Sequence, residues 1–332
     1  MHTPDTLKSL LPKKSSFVED IRAQIASIIH GKDSRLLLII GPCSIHSKKA
    51  AFAYGKKLKE LSKLVEKDAL VIMRTYFEKP RTSDGWKGFL NDPDLDNSYN
   101  LEKGLLEARE ILLTLNEMNV PTAMEFVDPN YALYLEDLVS WGCVGARTCS
   151  SQPHRHLAAR VCCPMGFKNS IHGNLEPAIF SLSAAAKPQT FFGPNESFLP
   201  SIIKASGNAN THLVLRGSDI KPNCDIKSIH KAILLLEEQE ISTHILVDCG
   251  HGNSQKNPLA QVDVAQNVLK LKRDHNLPIC GLMIESHIEE GCQPIEKTPI
   301  QDTLSITDPC LSFETVKKTL LQLLNKQSAL KI

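Results

Sequence analysis

The sequence has no hydrophobic run long enough to cross a membrane. Its longest purely aliphatic stretch, residues 36–40, spans five residues, whereas a membrane helix needs about 20. Residues 1–20 contain no apolar segment of the kind that forms the centre of a secretory signal. We therefore expect a cytoplasmic protein without a membrane partner.

An excess of one charge is also absent. The chain of 332 residues has 38 Lys plus Arg and 37 Asp plus Glu, which gives a formal net charge of +1. Nucleic-acid-binding proteins usually carry a marked basic excess or a basic stripe, so we expect no nucleic-acid partner. With 42% hydrophobic and 23% charged residues, the chain is able to bury a sizeable core.

Cysteine pairs and linker segments are missing as well. The ten cysteines include no C-x-x-C pair, and the chain is too long for a small scaffold held by disulfides. Most of the cysteines are therefore expected to be small buried hydrophobic residues in a reducing compartment. No Pro-, Gly- or Ser-rich stretch is long enough to link two domains.

Eight short apolar runs alternate with segments of helical periodicity, which predicts parallel strands joined by crossover helices. The runs are residues 36–40, 70–73, 122–126, 143–146, 165–167, 213–215, 245–247 and 279–284. Eight such units favour a closed (β/α)8 TIM barrel over an open sheet. We predict an N-terminal extension over 1–34 with a helix at 18–29, a barrel over 35–332, and an inserted hairpin between the fifth and sixth strands that carries Phe191 and Phe192.

Six basic residues stand at or just after the predicted strand ends. In a TIM barrel these positions meet at one face, where the active site lies. Six cations would repel one another there unless anions bind, and guanidinium groups pair well with phosphate and carboxylate. We therefore expect small substrates with several negative charges. The six residues are Arg74, Lys79, Arg81, Arg147, Lys168 and Arg216.

A second group at the strand ends combines a thiol, an imidazole and two carboxylates. If the barrel brings them together, they form a site for one divalent metal ion. Mixed sulfur, nitrogen and oxygen ligands accept Zn, Fe, Mn or Co, so the ligand set does not identify the metal. Without the barrel, the simpler interpretations are a buried cysteine and a turn histidine. The four residues are Cys43, His251, Glu285 and Asp308.

Several segments resemble those of type I 3-deoxy-D-arabino-heptulosonate 7-phosphate (DAHP) synthases, the bacterial and fungal class sensitive to phenylalanine, tyrosine or tryptophan. The segments are GPCSIH, EKPRTSDGWKG, GART, FKN, LRG, GHGN, ESH and ITD, and the likeness runs from Arg35 to the C-terminus. The resemblance implies a metal-dependent condensation of phosphoenolpyruvate with D-erythrose 4-phosphate and water. The products are DAHP and phosphate, in the first step of the shikimate pathway. A homodimer or homotetramer is also implied.

The resemblance further implies which residues bind the metal ion and phosphoenolpyruvate. The ion would be Mn²⁺, Fe²⁺, Co²⁺ or Zn²⁺, and it would polarise the aldehyde of the aldose. Its ligands would be Cys43, His251, Glu285 and Asp308. Arg147 and Arg216 would bind the phosphate of phosphoenolpyruvate, and Arg74 and Lys168 would lie at its carboxylate side.

For erythrose 4-phosphate and the reacting groups, the resemblance implies a second set. Lys79, Pro80, Arg81 and Thr82 would hold the aldose phosphate substrate, with Arg81 and Thr82 at its phosphate. We expect Lys79 to donate a proton to the developing alkoxide. Either Glu125 or His154 would orient the attacking water.

Two alternatives stay open at this point. A 3-deoxy-D-manno-octulosonate 8-phosphate synthase would share the barrel and the chemistry but would use arabinose 5-phosphate, and KPRTS followed by GWKG favours the four-carbon aldose. A non-catalytic barrel protein that binds a metal or a phosphometabolite would be expected to lack some of the reacting residues, and none is missing.

One departure from the resemblance generates a prediction about regulation. Feedback-sensitive relatives carry small hydroxyl side chains in the effector pocket, which the hairpin and the segment before strand five help to form, whereas this chain has Cys162 and Gly193. Because a lost hydroxyl donor weakens recognition of an amino acid, we predict weak or altered feedback inhibition. A titration of activity with phenylalanine, tyrosine and tryptophan tests this, and strong inhibition by any of the three contradicts it.

Overall fold

Eight parallel strands form a closed barrel in a computed structural model that describes residues 2–296 and 299–329. The barrel closes because the first strand pairs with both the second and the last. This confirms the predicted (β/α)8 TIM barrel. In chain order the barrel strands are β1 (Leu36–Gly41), β2 (Ala69–Arg74), β3 (Thr122–Glu125), β4 (Trp141–Val144), β5 (Met165–Lys168), β8 (Thr211–Leu215), β9 (Ile245–Asp248) and β10 (Ile279–His287).

Helices precede the barrel and connect its strands. Polar side chains begin several of them by accepting a backbone N–H of the first turn, as Ser47, Asn100 and Asp225 do. A two-residue strand, β11 (Leu311–Ser312), pairs with the end of β10. The helices are α1 (Pro4–Leu10), α2 (Phe17–Ile29), α3 (Lys48–Val65), α4 (Leu101–Glu117), α5 (Pro129–Leu135), α6 (Gln152–Arg160), α7 (Glu176–Ala185), α8 (Ile226–Glu238), α9 (Ala260–His275) and α10 (Phe313–Ala329).

Three elements differ from the sequence-based expectation. Helices α1 and α5 were not predicted, because each has seven residues and shows too little periodicity to be recognised. The fourth strand begins at Trp141 rather than at residue 143. Its register is fixed by pairing Ala123 with Trp141, and this pairing places the Trp141 side chain in the core, fully buried.

The apolar strands are buried on both faces, which divides the core into two layers. Leu38 and Ile40 of β1 belong to the layer between the sheet and the surrounding helices. Leu37 and Ile39 belong to the barrel interior, as expected from the two-residue alternation of a strand. The isoleucines of α2 pack into this interior cluster. We propose that residues 1–34 form an N-terminal extension to the single barrel domain over 35–332, and that α2 closes one end of that barrel.

The predicted hairpin is present between α7 and β8, outside the barrel. It consists of the antiparallel strands β6 (Gln189–Pro194) and β7 (Pro200–Ala205). Phe192 pairs across it with Ile202, and their exposed fractions are 77% and 75%. No helix within residues 2–296 and 299–329 is long and apolar enough to span a membrane.

Candidate active site

A polar cavity of about 140 Å³ opens where the carboxyl ends of the barrel strands meet. Each of the six predicted cations contributes to its wall, although they come from four different strand ends. The barrel therefore gathers them at one rim, as the sequence predicted. Ten of the predicted site residues line the cavity: Arg74, Lys79, Pro80, Arg81, Glu125, Arg147, Lys168, Arg216, His251 and Asp308.

Three of the four predicted metal ligands form a compact cluster beneath this cavity. Cys43 follows β1, Glu285 lies in β10, and Asp308 lies in the loop after β10. Their ligand atoms all lie within 4.8 Å of one another. One thiol with two carboxylates is a donor set that suits a divalent transition metal. Burial raises the pKa of the Cys43 thiol, and a bound cation is the group that would favour its thiolate.

His251 reaches the same cluster from the turn after β9. Its Nε2 lies 3.8 Å from Oε1 of Glu285, and its Nδ1 lies 2.9 Å from Oδ2 of Asp248. The backbone of His251 is left-handed, with φ of 52°. A carboxylate at one ring nitrogen orients a histidine and leaves the other nitrogen free for a metal. The arrangement therefore fits a fourth ligand through Nε2.

Arg74 is fully buried and forms an ion pair with a predicted metal ligand. Its Nη2 lies 2.9 Å from Oε1 of Glu285, and the guanidinium carbon lies 4.0 Å from the centre of the Tyr76 ring. Burial alone would lower the pKa of Arg74, but Tyr76 and Glu285 raise it. The guanidinium therefore stays charged while fixing the Glu285 carboxylate.

Lys168 is the second fully enclosed cation. Its Nζ lies 3.1 Å from Oε2 of Glu125 and 3.4 Å from Oδ2 of Asp248. Burial would lower the pKa of Lys168, but the two carboxylates raise it. Burial would likewise raise the pKa of Glu125, yet Lys168 and Lys79 lower it. All of these groups are therefore ionised, and Glu125 is available to accept a proton.

Lys79 contacts the thiol of Cys43, one of the clustered candidate metal ligands. Its Nζ lies 3.0 Å from Sγ of Cys43. Burial would lower the pKa of Lys79, but Cys43, Glu285 and Asp308 raise it above its ordinary value. An ammonium group beside these candidate ligands is positioned to give a proton to a substrate oxygen held there.

The remaining three arginines, Arg81, Arg147 and Arg216, form no close ion pair with a carboxylate among the described residues. Nε of Arg81 donates to the carbonyl of Trp86 at 2.9 Å. Nε of Arg147 donates to Oγ1 of Thr82 at 2.8 Å. Arg216 lies 3.8 Å from a carboxylate oxygen of Asp219. Most of their guanidinium donors are therefore free to bind anions.

The expectation that six uncompensated cations meet at the rim is wrong. Arg74 and Lys168 are paired with carboxylates from other strands, so the rim does not require bound anions to offset the repulsion of all six cations. Position at a strand end does not reveal which carboxylates face a cation. Arg81, Arg147 and Arg216 keep the most hydrogen-bond donors for an anion.

The sequence profile of the DAHP synthetase I family matches residues 14–321. This chain belongs to that family. It is 42% identical over 308 residues to the Trp-sensitive phospho-2-dehydro-3-deoxyheptonate aldolase of Escherichia coli (strain K12), and the match covers 92% of this chain and 88% of the relative. Against the Tyr-sensitive enzyme of the same strain it is 41% identical over 317 residues, covering 94% and 89%.

A solved structure agrees with the family assignment. The phospho-2-dehydro-3-deoxyheptonate aldolase of Francisella tularensis SCHU S4 superimposes with a TM-score of 0.95 at 41% identity, covering 98% of this chain and 96% of that one. The predicted resemblance, enzyme class and place at the first step of the shikimate pathway are therefore confirmed. The octulosonate and non-catalytic alternatives are not supported.

Three predicted DAHP synthase site residues lie near the cavity rather than in its wall, and His154 lies apart from them. Cys43 and Glu285 are buried beneath it, and Thr82 is exposed at its rim. His154 is buried in α6, with Nδ1 2.9 Å from the Ser151 hydroxyl and Nε2 2.9 Å from the carbonyl of Val127. Because a carbonyl only accepts hydrogen bonds, Nε2 is the donor there. Both ring nitrogens are therefore engaged by protein groups.

Several residues in or beside the cavity of this DAHP synthase have no role in the sequence-based prediction. Glu78 accepts backbone N–H groups of Val127 and Asp128, at 3.2 and 3.1 Å, and so ties the loop after β2 to the loop after β3. Burial raises the pKa of Glu78. Asp248 lies beside the cavity, at Nδ1 of His251. Both acids stand at or just after strand ends, so the rule that found the cations could have found them. The same holds for Tyr76 and Asp219, which line the cavity together with Lys256.

The two positions behind the feedback prediction lie near the hairpin. A cleft of about 260 Å³ lies between the hairpin and α6, and Gly193 lines it together with Phe191. Cys162 is exposed and is not part of the cleft wall. A Cβ at Gly193 would come no closer than 3.5 Å to Phe191. Weak or altered feedback stays a prediction.

Gly145 provides the space for the Glu125 carboxylate. A Cβ on Gly145 would lie 2.5 Å from Oε1 of Glu125, which is less than any normal contact. Since Lys168 holds Glu125 by an ion pair, the carboxylate has little freedom to move aside. A glycine at this position is therefore a requirement of the site geometry.

Replacing Gly145 by alanine should lower kcat at least about tenfold by displacing Glu125, since catalysis is sensitive to misplacement of about 1 Å. The thermal unfolding midpoint should change little, because the clash is with a side-chain terminus. Steady-state kinetics with both substrates tests this. The matched control is Gly193→Ala, whose added methyl has ordinary contacts only. An unchanged kcat for Gly145→Ala would contradict the assignment.

Proposed function

We propose that this DAHP synthase condenses phosphoenolpyruvate with erythrose 4-phosphate in the cavity at the carboxyl end of its barrel. The observation that carries this proposal is the convergence of six cations on one rim above a cluster of thiol, imidazole and carboxylates. Two reactants with three anionic groups between them match that rim in charge. Positioning and electrostatic stabilisation would supply much of the acceleration.

One divalent metal ion would be held by Cys43, His251, Glu285 and Asp308. The clustering of three of the ligand atoms and the orientation of His251 by Asp248 support this assignment. Mn²⁺, Fe²⁺, Co²⁺ and Zn²⁺ all suit the donor set. When bound, the ion supplies Lewis-acid polarisation of the aldehyde oxygen.

The three arginines with the most free hydrogen-bond donors would bind the two phosphates. Arg147 and Arg216 would bind the phosphate of phosphoenolpyruvate, and Arg81 with Thr82 would bind that of erythrose 4-phosphate. The hydrogen bond from Arg147 to Thr82 joins these two subsites. Binding of one substrate would therefore help to order the residues that receive the other.

Four further residues would contact the carboxylate of phosphoenolpyruvate and the carbon chain of the aldose. Arg74 and Lys168 have N–H donors beyond those used by Glu285 and Glu125, and these would face the carboxylate. Lys79 and Pro80 line the same cavity and would contact the carbon chain of the aldose. The buried ion pairs hold the cationic groups still, which reduces the entropy lost on substrate binding.

The reaction needs one proton donor and one group that orients water. Carbon 3 of phosphoenolpyruvate bonds to the aldehyde carbon, and the aldehyde oxygen takes a proton from Lys79. Water then adds to carbon 2 and gives one proton to Glu125. Phosphate leaves as the bond between carbon 2 and the bridging phosphate oxygen breaks, and it takes the second proton of the water as the carbon 2 carbonyl forms. Glu125 is preferred over His154 for this role, because Glu125 lines the cavity as a carboxylate. His154 would position the loop that carries Val127.

We infer a homodimer or homotetramer, supported by the exposed apolar face of Phe192 and Ile202, since such a surface usually marks an interface. Serine at both positions should shift the sedimentation coefficient towards that of a monomer.

The ten cysteines are free thiols, which supports the proposed cytoplasmic location.

Replacing Cys43 by alanine should abolish metal-dependent turnover, because it removes the thiolate from the ligand set. Equilibrium dialysis should give about one bound ion per chain for the native protein and a much weaker site for the variant. The fold should persist, as seen by circular dichroism. The control is Cys310→Ala, a buried thiol that contacts the backbone N–H of Cys43 but is not a proposed ligand. Undiminished metal affinity in Cys43→Ala would overturn the ligand assignment.

Replacing Arg81 by alanine should chiefly weaken the use of erythrose 4-phosphate. Loss of a charge-assisted contact to phosphate should raise the KM for this substrate at least about tenfold. The KM for phosphoenolpyruvate should stay close to that of the native enzyme. The control is Arg155→Ala, a half-buried arginine of α6 that donates to the carbonyl of Ser150 and lies outside the cavity wall. An unchanged KM for erythrose 4-phosphate would count against the assignment.

A further inference from the structure

A second and larger cavity lies at the opposite end of the barrel. Its volume is about 460 Å³, within the range of about 300–1,000 Å³ that is usual for small-molecule sites. It is lined where β1 and β10 begin, by Leu36 and Ile279, and by residues of α2 and α9. The cavity is therefore separated from the catalytic rim by the length of the barrel strands.

The charged residues of this cavity are mainly basic. Four basic side chains line it, together with two carboxylates. One of these carboxylates, Asp33, is engaged by Arg35, which approaches both of its oxygens at 2.7–3.2 Å. The excess of positive charge favours an anionic occupant. The basic residues are Arg35, Lys67, Lys272 and Arg273.

Lys272 is a half-buried cation of this wall. Its Nζ donates to the carbonyl of Ile279 at 2.7 Å, and no ion pair of Lys272 occurs among the residues that the structure describes. Burial lowers the pKa of this ammonium. Burial and the nearby charges of Lys272 and His30 also lower the pKa of His244, which lines the same cavity. This part of the wall thus presents positive charge without a matching carboxylate.

Uncharged side chains complete the wall. Ile28 of α2, Leu36, Ile279 and Cys280 contribute to it, but they are at most 3% exposed. An organic anion would fill a cavity of this size, which a single inorganic ion would not, and it would pair its charged group with Lys272.

We propose that this cavity, named here the basal pocket, is a binding site for a small organic anion. The anionic group would pair with Lys272, and the body of the anion would fill the rest of the cavity. The site is independent of the catalytic cations, because none of its lining residues belongs to the catalytic rim.

The test uses 8-anilinonaphthalene-1-sulfonate, which joins a sulfonate to an aromatic body and fluoresces when shielded from water. The full chain is titrated with this probe in the presence of saturating phosphoenolpyruvate, which would occupy Arg74, Arg147, Lys168 and Arg216 of the catalytic rim. We expect one saturable site. In Lys272→Met the affinity should fall at least about tenfold, as expected for the loss of one charge-assisted contact, and Lys272→Arg should retain it.

Matched variants distinguish the basal pocket from other apolar surfaces. Lys270→Met changes an exposed lysine of the same helix that is outside the pocket wall, and it should bind the probe as the native chain does. Lys67→Met changes an exposed position of the wall and should weaken binding even if Lys272→Met fails to fold. Native-like binding by Lys67→Met and by folded Lys272→Met would overturn the proposal, since it would place the probe elsewhere, as on the hairpin. So would the lack of a saturable site.

Discussion

Arg74 and Glu285 form a fully buried ion pair across the mouth of the barrel, and the rest of the active site is arranged around it. Removing two charges from water is costly unless they are paired and hydrogen-bonded. The chain meets this requirement by alternating cations and anions around the rim, and Lys168 lies between Glu125 and Asp248 in the same way. This pairing keeps the side chains ionised and fixed in position.

The same pairing divides the cations into two functional groups. Those that are buried and paired provide fixed charge and hold carboxylates in place. Arg81 and Arg147 are exposed and keep most of their donors unused, so they are suited to anions that arrive and leave. Because Arg147 also contacts Thr82, the two proposed groups of phosphate-binding residues are physically joined.

The two ends of the barrel serve different purposes. At the carboxyl end, loops project polar side chains inward, and small residues such as Gly145 leave room for them. At the opposite end, α2 fills the interior with Ile25, Ile28 and Ile29, which makes a closed apolar floor. The basal pocket lies at the edge of that floor, where basic residues meet the apolar packing.

The sequence by itself determined the barrel, the positions of its strands to within about three residues, and most of the residues proposed to act at its mouth. These follow from local pattern, because short apolar runs and strand-end residues are readable along the chain. Which charges pair was decided only by the tertiary structure, as with Glu285 and Arg74. So were the engagement of both ring nitrogens of His154 and the basal pocket around Lys272. Such contacts join residues far apart in sequence, and their geometry is set by how the strands register and the helices pack.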